Sequence, residues 1–266
     1  MALSDFERFK NCITKTSFGE YRANYSGFRL RSVFQPIFNA EHSVVGVEAL
    51  VRIKDERNCY VRPDLFFLGN DYSSRLKAAV EALSRTLHIL NFSQSEYRDK
   101  KLFLNLLPDP DQNAFHVDET NSTAEYLQQL DVNSQQFVME VVEQEVKDHS
   151  VLDKVKRTIH HYGCELAVDD YGAEASTEFR VKQLSPQIVK LDRSILSQFM
   201  SGCFEPMTTA LQVAKDVGAR TVVEGIETQE QFECMCKLGI DMYQGYFLAH
   251  PHSIQPQLKP LQLRIA

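Results

Sequence analysis

The chain has 266 residues, of which 43% are hydrophobic and 24% are charged, as expected for a compact domain with a sizeable buried core. The formal net charge is −7 and the sequence pI is about 5.6, which excludes the basic surface that nucleic-acid binding requires. No apolar run reaches the roughly 18 residues of a membrane span, so we expect neither nucleic acid nor a membrane-spanning helix.

The N-terminal region and the cysteines indicate the organisation and the cellular compartment. Residues 4–15 have an amphipathic pattern and residues 19–27 are polar, which predicts an added helix and lead-in over 1–30 and one domain over 31–266. The six cysteines form no CxxC pair, and the start of the chain lacks the pattern of a secretory signal. We therefore expect a reduced, cytoplasmic protein.

From residue 32 onward, short β-rich runs alternate with longer helical patterns. The strands are predicted over 32–38, 44–53, 101–106, 136–142, 165–170, 187–192, 219–225 and 241–248. The helices are predicted over 73–91, 122–130, 144–162, 194–200, 205–217 and 228–238. Strands that alternate with helices are typical of a parallel sheet.

Eight strands over this length favour an α/β fold of the (β/α)8 TIM-like barrel type. An open doubly wound sheet is less favoured, because the sequence has neither a GxGxxG nor a GxxxxGK[ST] phosphate loop. Only residues 39–43 separate the first two strands, so they are predicted to form a hairpin. The barrel therefore does not begin as a regular parallel repeat.

Carboxylate, amide and ammonium side chains lie near the ends of the predicted strands. They are Glu48, Asn105, Glu140, Asp169, Asp170, Lys190, Glu224 and Gln244. In such a barrel the C-terminal strand ends meet at one face, where crowded carboxylates repel unless cations neutralise them. Oxygen-only ligands indicate Mg²⁺ or Mn²⁺. Two ions roughly 3.5–4 Å apart suit phosphodiester hydrolysis, because they activate water and stabilise the leaving oxygen.

Seven short motifs follow one another over about residues 34–251. They are Glu48-Ala49-Leu50-Val51-Arg52, Asn105 followed by Pro108, Glu140-Val141-Val142-Glu143, Asp169-Asp170-Tyr171-Gly172, Lys190-Leu191-Asp192, Glu224-Gly225-Ile226-Glu227 and Gln244-Gly245-Tyr246. This ordered set resembles the EAL-domain family of cyclic di-GMP phosphodiesterases. One such triplet is weak evidence, whereas the ordered set is specific. The resemblance implies a barrel with an antiparallel first strand and opening of cyclic di-GMP to linear pGpG.

The resemblance also implies a role for each matching position. Two Mg²⁺ or Mn²⁺ ions are expected on Glu48, Asn105, Glu140, Asp169 and Asp170, with inhibition by Ca²⁺. Lys190 would orient or deprotonate the attacking water, and Glu224 and Gln244 would bind the ions or their waters. Substrate contacts are expected from Gln35, Leu50, Arg52 and Gln244. Glu143 would steady the loop after the Asp-Asp strand, and the protein would be a homodimer.

Other interpretations of the same residues stay open. Glu48 could be a strand-end surface carboxylate, Asn105 a turn cap and Lys190 a snorkelling lysine paired with Asp192. A barrel glycosidase would also need two carboxylates, but that chemistry does not require the asparagine, the lysine and an Asp-Asp pair together.

Two departures from the family pattern define an alternative function. Residues 171–177 read YGAEAST where the family has FGTGYSS, so Glu174 replaces a glycine, and Leu107 replaces a serine. A non-glycine residue at a positive φ costs about 1–2 kcal/mol, which predicts a different path for this loop. The alternative is a catalytically weak EAL module that binds cyclic di-GMP or a protein partner as a sensor.

Overall fold

The computed structural model describes residues 9–106, 130–141, 149–173 and 178–253. In chain order the strands are β1 (Ile13–Lys15), β2 (Tyr21–Tyr25), β3 (Phe28–Phe38), β4 (Val44–Lys54), β5 (Tyr60–Val61), β6 (Lys101–Leu106), β7 (Phe137–Val141), β8 (Glu165–Tyr171), β9 (Ile188–Leu191), β10 (Arg220–Val223) and β11 (Met242–Tyr243). The α-helices are α1 (Pro63–Leu68), α2 (Ser74–Ser93), α3 (His149–His161), α4 (Glu178–Leu184), α5 (Arg193–Met200), α6 (Glu205–Val217) and α7 (Gln229–Lys237).

Eight of these strands close into a barrel. The order around it is β3, β11, β10, β9, β8, β7, β6 and β4, and β4 pairs with β3 to complete the circle. Strand β3 runs antiparallel to both of its neighbours, whereas all other barrel pairs are parallel. The predicted (β/α)8 barrel with an antiparallel first strand is therefore confirmed.

A layer of apolar side chains fills the bottom of the barrel. Each side chain comes from a different strand, and the layer consists of Ile37, Phe103, Val138, Ala167, Ile188, Val222 and Met242. The eighth strand contributes Gly46, where a Cβ atom would lie 2.7 Å from the ring of Phe103. A second, larger apolar layer packs between the outside of the barrel and the helices.

Local capping sets the ends of several helices. The Ser73 side chain accepts a hydrogen bond from the Leu76 amide at 3.3 Å at the start of α2. Thr228 and Gln231 form a capping box at the start of α7. Gly218 ends α6 in the left-handed conformation, with φ of 72°. The helices predicted over 73–91, 205–217 and 228–238 are thus confirmed to within two residues.

The N-terminal segment differs from its predicted form. Residues 13–15, inside the predicted amphipathic helix, form β1, and the predicted lead-in contains β2, which pairs with β3. The Asn91 side chain fixes β2 by accepting from the Tyr21 amide at 2.8 Å and donating to its carbonyl at 2.9 Å. Tertiary pairing has overridden the helical pattern here, and the boundary at residue 30 stays a prediction.

The last predicted strand is shorter than expected, because β11 contains only Met242–Tyr243. From Gly245 the backbone turns, and the Leu248 amide donates to the Gly245 carbonyl at 3.1 Å. A Cβ at Gly245 would lie 2.1 Å from the Ile226 carbonyl oxygen, so the turn requires glycine.

Several predictions lie outside the described residues. They are Glu143, Leu107, the loop over 174–177, the helix over 122–129, the start of the helix predicted from 144, and residues 1–8. All six cysteines carry free thiols. Within the described ranges, no helix combines the length and the apolar character needed to span a membrane.

Candidate active site

A ring of polar side chains lies directly above the apolar bottom layer of the barrel. On each barrel strand the polar residue is two positions from the bottom-layer residue, so strand alternation points both into the barrel. The ring consists of Gln35, Glu48, Asn105, Glu140, Asp169, Lys190, Glu224 and Gln244. The parallel strands place these residues at their C-terminal ends, which form the active face of barrels of this type.

The Lys190 ammonium occupies the centre of this ring. Its Nζ atom lies 2.6 Å from Glu224 Oε1 and 2.8 Å from both Glu140 Oε1 and Asp169 Oδ1. Glu48 Oε2 is further away, at 3.7 Å. The lysine side chain is only 1% exposed, so it is not a snorkelling edge-strand lysine.

Glu48 and the two glutamines form one side of the ring. Gln244 Nε2 donates a 2.7 Å hydrogen bond to Glu48 Oε2, and both side chains are buried. Gln35 pairs with Glu48 across the β3–β4 hairpin, and its Nε2 donates to the Ala249 carbonyl at 3.3 Å. Glu48 is therefore a buried ring residue rather than a surface carboxylate.

The Asp-Asp pair lies where the regular pairing of β8 breaks. The register with β9 shifts between Val168 and Tyr171, and Asp170 has a φ of 50°. This irregularity turns Asp170 away from strict alternation. Ligand oxygens of Asp169, Asp170 and Glu224 lie within 4.8 Å of one another, as a metal site requires.

Burial and mutual repulsion raise the pKa of several of these carboxyl groups. Desolvation raises the pKa of Glu140 well above its usual range and that of Glu224 to about 8. Desolvation and the neighbouring Asp169 raise the pKa of Asp170 to about 6. Burial alone would lower the pKa of Lys190, but the surrounding carboxylates raise it well above its usual value. One ammonium thus faces more carboxyl groups than it can neutralise.

Two buried oxygen atoms in the ring lack hydrogen-bond donors. Glu140 Oε2 and Gln244 Oε1 are inaccessible to solvent and have no hydrogen-bond partner among the described residues. Such atoms normally have a partner, so their presence in an excess of negative charge indicates room for cations. The donors are all oxygen atoms, a set that fits Mg²⁺ or Mn²⁺.

A cavity of about 310 Å³ opens above the ring. Of the predicted residues, it is lined by Gln35, Glu48, Leu50, Asp169, Asp170, Lys190, Glu224 and Gln244. Asn105 and Arg52 line an adjoining, more apolar cavity of about 280 Å³ that shares Leu50 and Asp170 with the first. Asn105 pairs with Glu140 between β6 and β7, so it belongs to the ring and is not a turn cap.

Besides two glycines, three further residues line the first cavity, namely Arg193, Glu227 and Tyr246. No role was predicted for these three residues from the sequence, although Glu227 and Tyr246 belong to the quoted motifs and Arg193 directly follows Asp192. Arg193 is held close to the ring by Gly225, where a Cβ atom would lie 2.5 Å from the Arg193 Cβ. Their proximity to the ends of β9, β10 and β11 was the signal that could have identified them.

The chain is similar to several proteins of known sequence or structure. It is 25% identical over 230 residues to the probable cyclic di-GMP phosphodiesterase PdeD of Escherichia coli K12, which covers 82% of this chain and 40% of PdeD. The chain thus spans less than half the length of this relative.

Two solved structures share the fold. Bacillus subtilis YkuI, solved with substrate cyclic di-GMP and calcium, matches with a TM-score of 0.67 and 27% identity over 84% of this chain and 56% of YkuI. Klebsiella pneumoniae BlrP1, in a manganese and cyclic di-GMP complex, matches with a TM-score of 0.69 and 22% identity over 84% of this chain and 56% of BlrP1. The sequence profile of the EAL domain matches residues 20–251, a span that begins just before β2. The chain belongs to the EAL domain family.

Proposed function

We propose that this chain is a metal-dependent phosphodiesterase that hydrolyses cyclic di-GMP to linear pGpG. The observation that carries the proposal is the ring in which every barrel strand contributes one polar side chain around Lys190. The likeness to PdeD and to YkuI, whose names and ligands refer to cyclic di-GMP, supports this substrate.

Glu48, Asn105, Glu140, Asp169 and Asp170 would hold two Mg²⁺ or Mn²⁺ ions. When bound, the ions would supply the charge that polarises the scissile phosphate and lowers the pKa of the attacking water. Ca²⁺, which prefers longer and more flexible coordination, would occupy the same oxygens and inhibit turnover.

Lys190 and Glu224 would manage the proton of the attacking water. Their side chains are 2.6 Å apart, so a water molecule beside this pair can donate to the carboxylate while the ammonium orients it. Gln244 fixes the Glu48 carboxylate through its 2.7 Å hydrogen bond, and it is proposed to contact the substrate as well.

The substrate would extend from the ring toward Leu50 and Arg52, which follow Glu48 on the same face of β4. The Arg52 guanidinium can bind a phosphate group through two parallel hydrogen bonds. Gln35 would contact the substrate from the facing strand. Glu143 is proposed to steady the loop that follows β8.

The direct test is hydrolysis of cyclic di-GMP by the purified chain with Mn²⁺, with pGpG resolved by chromatography. We expect Glu48→Gln to lower kcat by at least about a thousandfold, equivalent to about 4 kcal/mol of barrier. The matched control is Glu205→Gln, an exposed glutamate in the first turn of α6. Equal turnover by Glu48→Gln and wild type would contradict the proposal.

The second candidate is a catalytically weak EAL module, favoured by the sequence of residues 171–177. It predicts saturable binding of cyclic di-GMP without pGpG formation in Mg²⁺ or Mn²⁺. Binding measured by calorimetry beside the product assay therefore separates the two functions.

We also propose that the chain acts as a homodimer, as the family resemblance implies. In support, Phe204 at the start of α6 is 56% exposed, and Phe179 on the adjacent α4 is 64% exposed. Light scattering should give twice the mass of one chain, and Phe204→Ser should shift the equilibrium toward the monomer.

A further inference from the structure

The inner face of β4 changes from acidic to basic as the strand leaves the barrel. Alternation places Glu48, Leu50, Arg52 and Lys54 on one face, whereas Val51 and Ile53 point into the outer apolar core. This face is therefore continuous with the cavity above the polar ring.

The neighbouring strands continue the basic face. Arg31 of β3 lies directly opposite Arg52, and Arg22 of β2 lies directly opposite Arg31. One row beyond, Arg29 faces Lys54. We call the five residues Arg22, Arg29, Arg31, Arg52 and Lys54 the basic platform.

Like charges directly opposite each other destabilise a sheet unless counter-charges are present. Arg22 has such a partner, because its Nη2 lies 2.7 Å from Glu20 Oε2. Across the part of the chain that the structure describes, the other four platform residues form no ion pair with a carboxylate. The repulsion among these four side chains is therefore not offset by carboxylates, although the chain as a whole has a net charge of −7.

A cavity of about 350 Å³ lies on the platform, and all five basic residues line it together with Thr14, Asn24, Asn58 and Tyr60. Asn58 Oδ1 lies 3.4 Å from both Arg29 Nη1 and Lys54 Nζ. The Lys54 ammonium also lies 4.4 Å from the centre of the Tyr60 ring. These contacts gather the charged groups around one concave space.

We propose that the basic platform is an accessory binding site for a phosphate-bearing small molecule. Guanidinium groups match phosphate oxygens in two-point geometry, and several of them converge on a space that lies within the size range of small-ligand pockets. Arg52 lines both this space and the cavity beside the polar ring, so the accessory ligand would lie next to the substrate.

The first probe is inorganic pyrophosphate, titrated by calorimetry into the metal-free full chain at fixed ionic strength. Without cations the carboxylate ring repels anions, so binding reports on the platform. We expect saturable binding of one pyrophosphate per chain. Arg31→Gln should weaken it by at least about tenfold, because a charge-assisted pair is lost. Arg29→Gln is the second variant, and Lys215→Gln, an exposed lysine on α6, is the matched control.

Thermal unfolding gives an independent readout. Because Arg31→Gln removes repulsion from Arg22 and Arg52, it should raise the melting temperature of the free chain and reduce the rise that pyrophosphate causes in wild type. Non-saturable binding, or equal binding by Arg31→Gln, Arg29→Gln and Lys215→Gln, would overturn the proposal.

Comparison of 5′-GMP with inorganic phosphate identifies the source of the phosphate group. Tighter binding of 5′-GMP in the same assay would support a nucleotide, with the base lying near Tyr60. Equal binding would support recognition of the phosphate group alone. A failure of hydrolysis would leave these binding outcomes unchanged, because they are measured without metal.

Discussion

The polar ring and the basic platform lie on the same inner face and carry opposite charge. In the ring, one buried lysine is surrounded by carboxyl groups whose side chains are at most 20% exposed. On the platform, several basic groups surround an accessible space, and one of them has a carboxylate partner among the described residues.

The difference shows how a barrel can accept an anion above an acidic floor. Cations held by the ring would reverse its charge toward a phosphate, while the platform attracts phosphate without any metal. The acidic and basic environments lie on the same strand. Glu48 of the ring and Arg52 of the platform are only four residues apart in β4.

The largest effect is expected when the ring loses its only cation. Lys190→Met should lower the free energy of unfolding of the metal-free chain by about 3–5 kcal/mol at pH 7.5, because buried carboxylates lose their compensating charge. It should also lower kcat by about a hundredfold or more. Urea unfolding and product formation measure the two effects.

Lys182→Met is the control for this change, because its exposed i,i+4 pair with Glu178 contributes less than about 1 kcal/mol. A Lys190→Met chain as stable as wild type would show that the ionised carboxylates of the ring do not depend on the Lys190 ammonium for compensation.

Much of this site was predictable from the sequence because strand period fixes which residues share a face. Glu140 in β7 and Lys190 in β9 stand alone in apolar runs, so their inward direction follows from their neighbours. The strand at Ile13–Lys15 was not predictable in this way, because its conformation depends on pairing with β2 and not on the hydrophobic pattern of its own residues.

The basic platform was not predicted from the sequence. Arg31 lies nine residues after Arg22 and 21 residues before Arg52, and only the register of β2, β3 and β4 brings the three side by side. A register shift of one residue would place them on alternate faces. The sequence therefore did not indicate that these basic residues form one site, because this depends on how the strands pair.

A smaller disturbance of the ring is expected from Gly225→Ala. Gly225 and Gly218 have nearly equal φ values, 70° and 72°, but a Cβ would lie 2.5 Å from Arg193 only at Gly225. Gly218→Ala should cost about 1 kcal/mol from backbone strain alone. Gly225→Ala should cost about 1–3 kcal/mol more and lower kcat by displacing the adjacent Glu224. Equal urea midpoints for the two variants would contradict this contact.

The charge of the ring can also be changed by pH. The folded metal-free chain holds a proton on Glu224 up to about pH 8, well above the ordinary pKa of 4.5. The contribution of this proton to the free energy of unfolding is therefore complete below about pH 4.5 and is lost as the pH rises through about 8. Asp170 loses its contribution at a lower pH, near 6.

Divalent cations should reverse this trend, because they bind the deprotonated carboxylates. We expect Mn²⁺ to raise the melting temperature by roughly 5 °C more at pH 8.5 than at pH 6. Scanning calorimetry with and without Mn²⁺ at both pH values measures the difference. A Mn²⁺ effect that weakens as the pH rises would argue against metal binding by these groups.

The smallest effect is expected at the boundary between the two regions. Arg52→Lys keeps the positive charge but removes the planar fork, so KM for cyclic di-GMP should rise about tenfold while kcat changes little. The control is Arg98→Lys, because Arg98 is an exposed arginine that forms an ion pair with Asp131. If kcat fell with KM unchanged, Arg52 would stabilise the transition state and would act together with the polar ring, and not only in substrate binding.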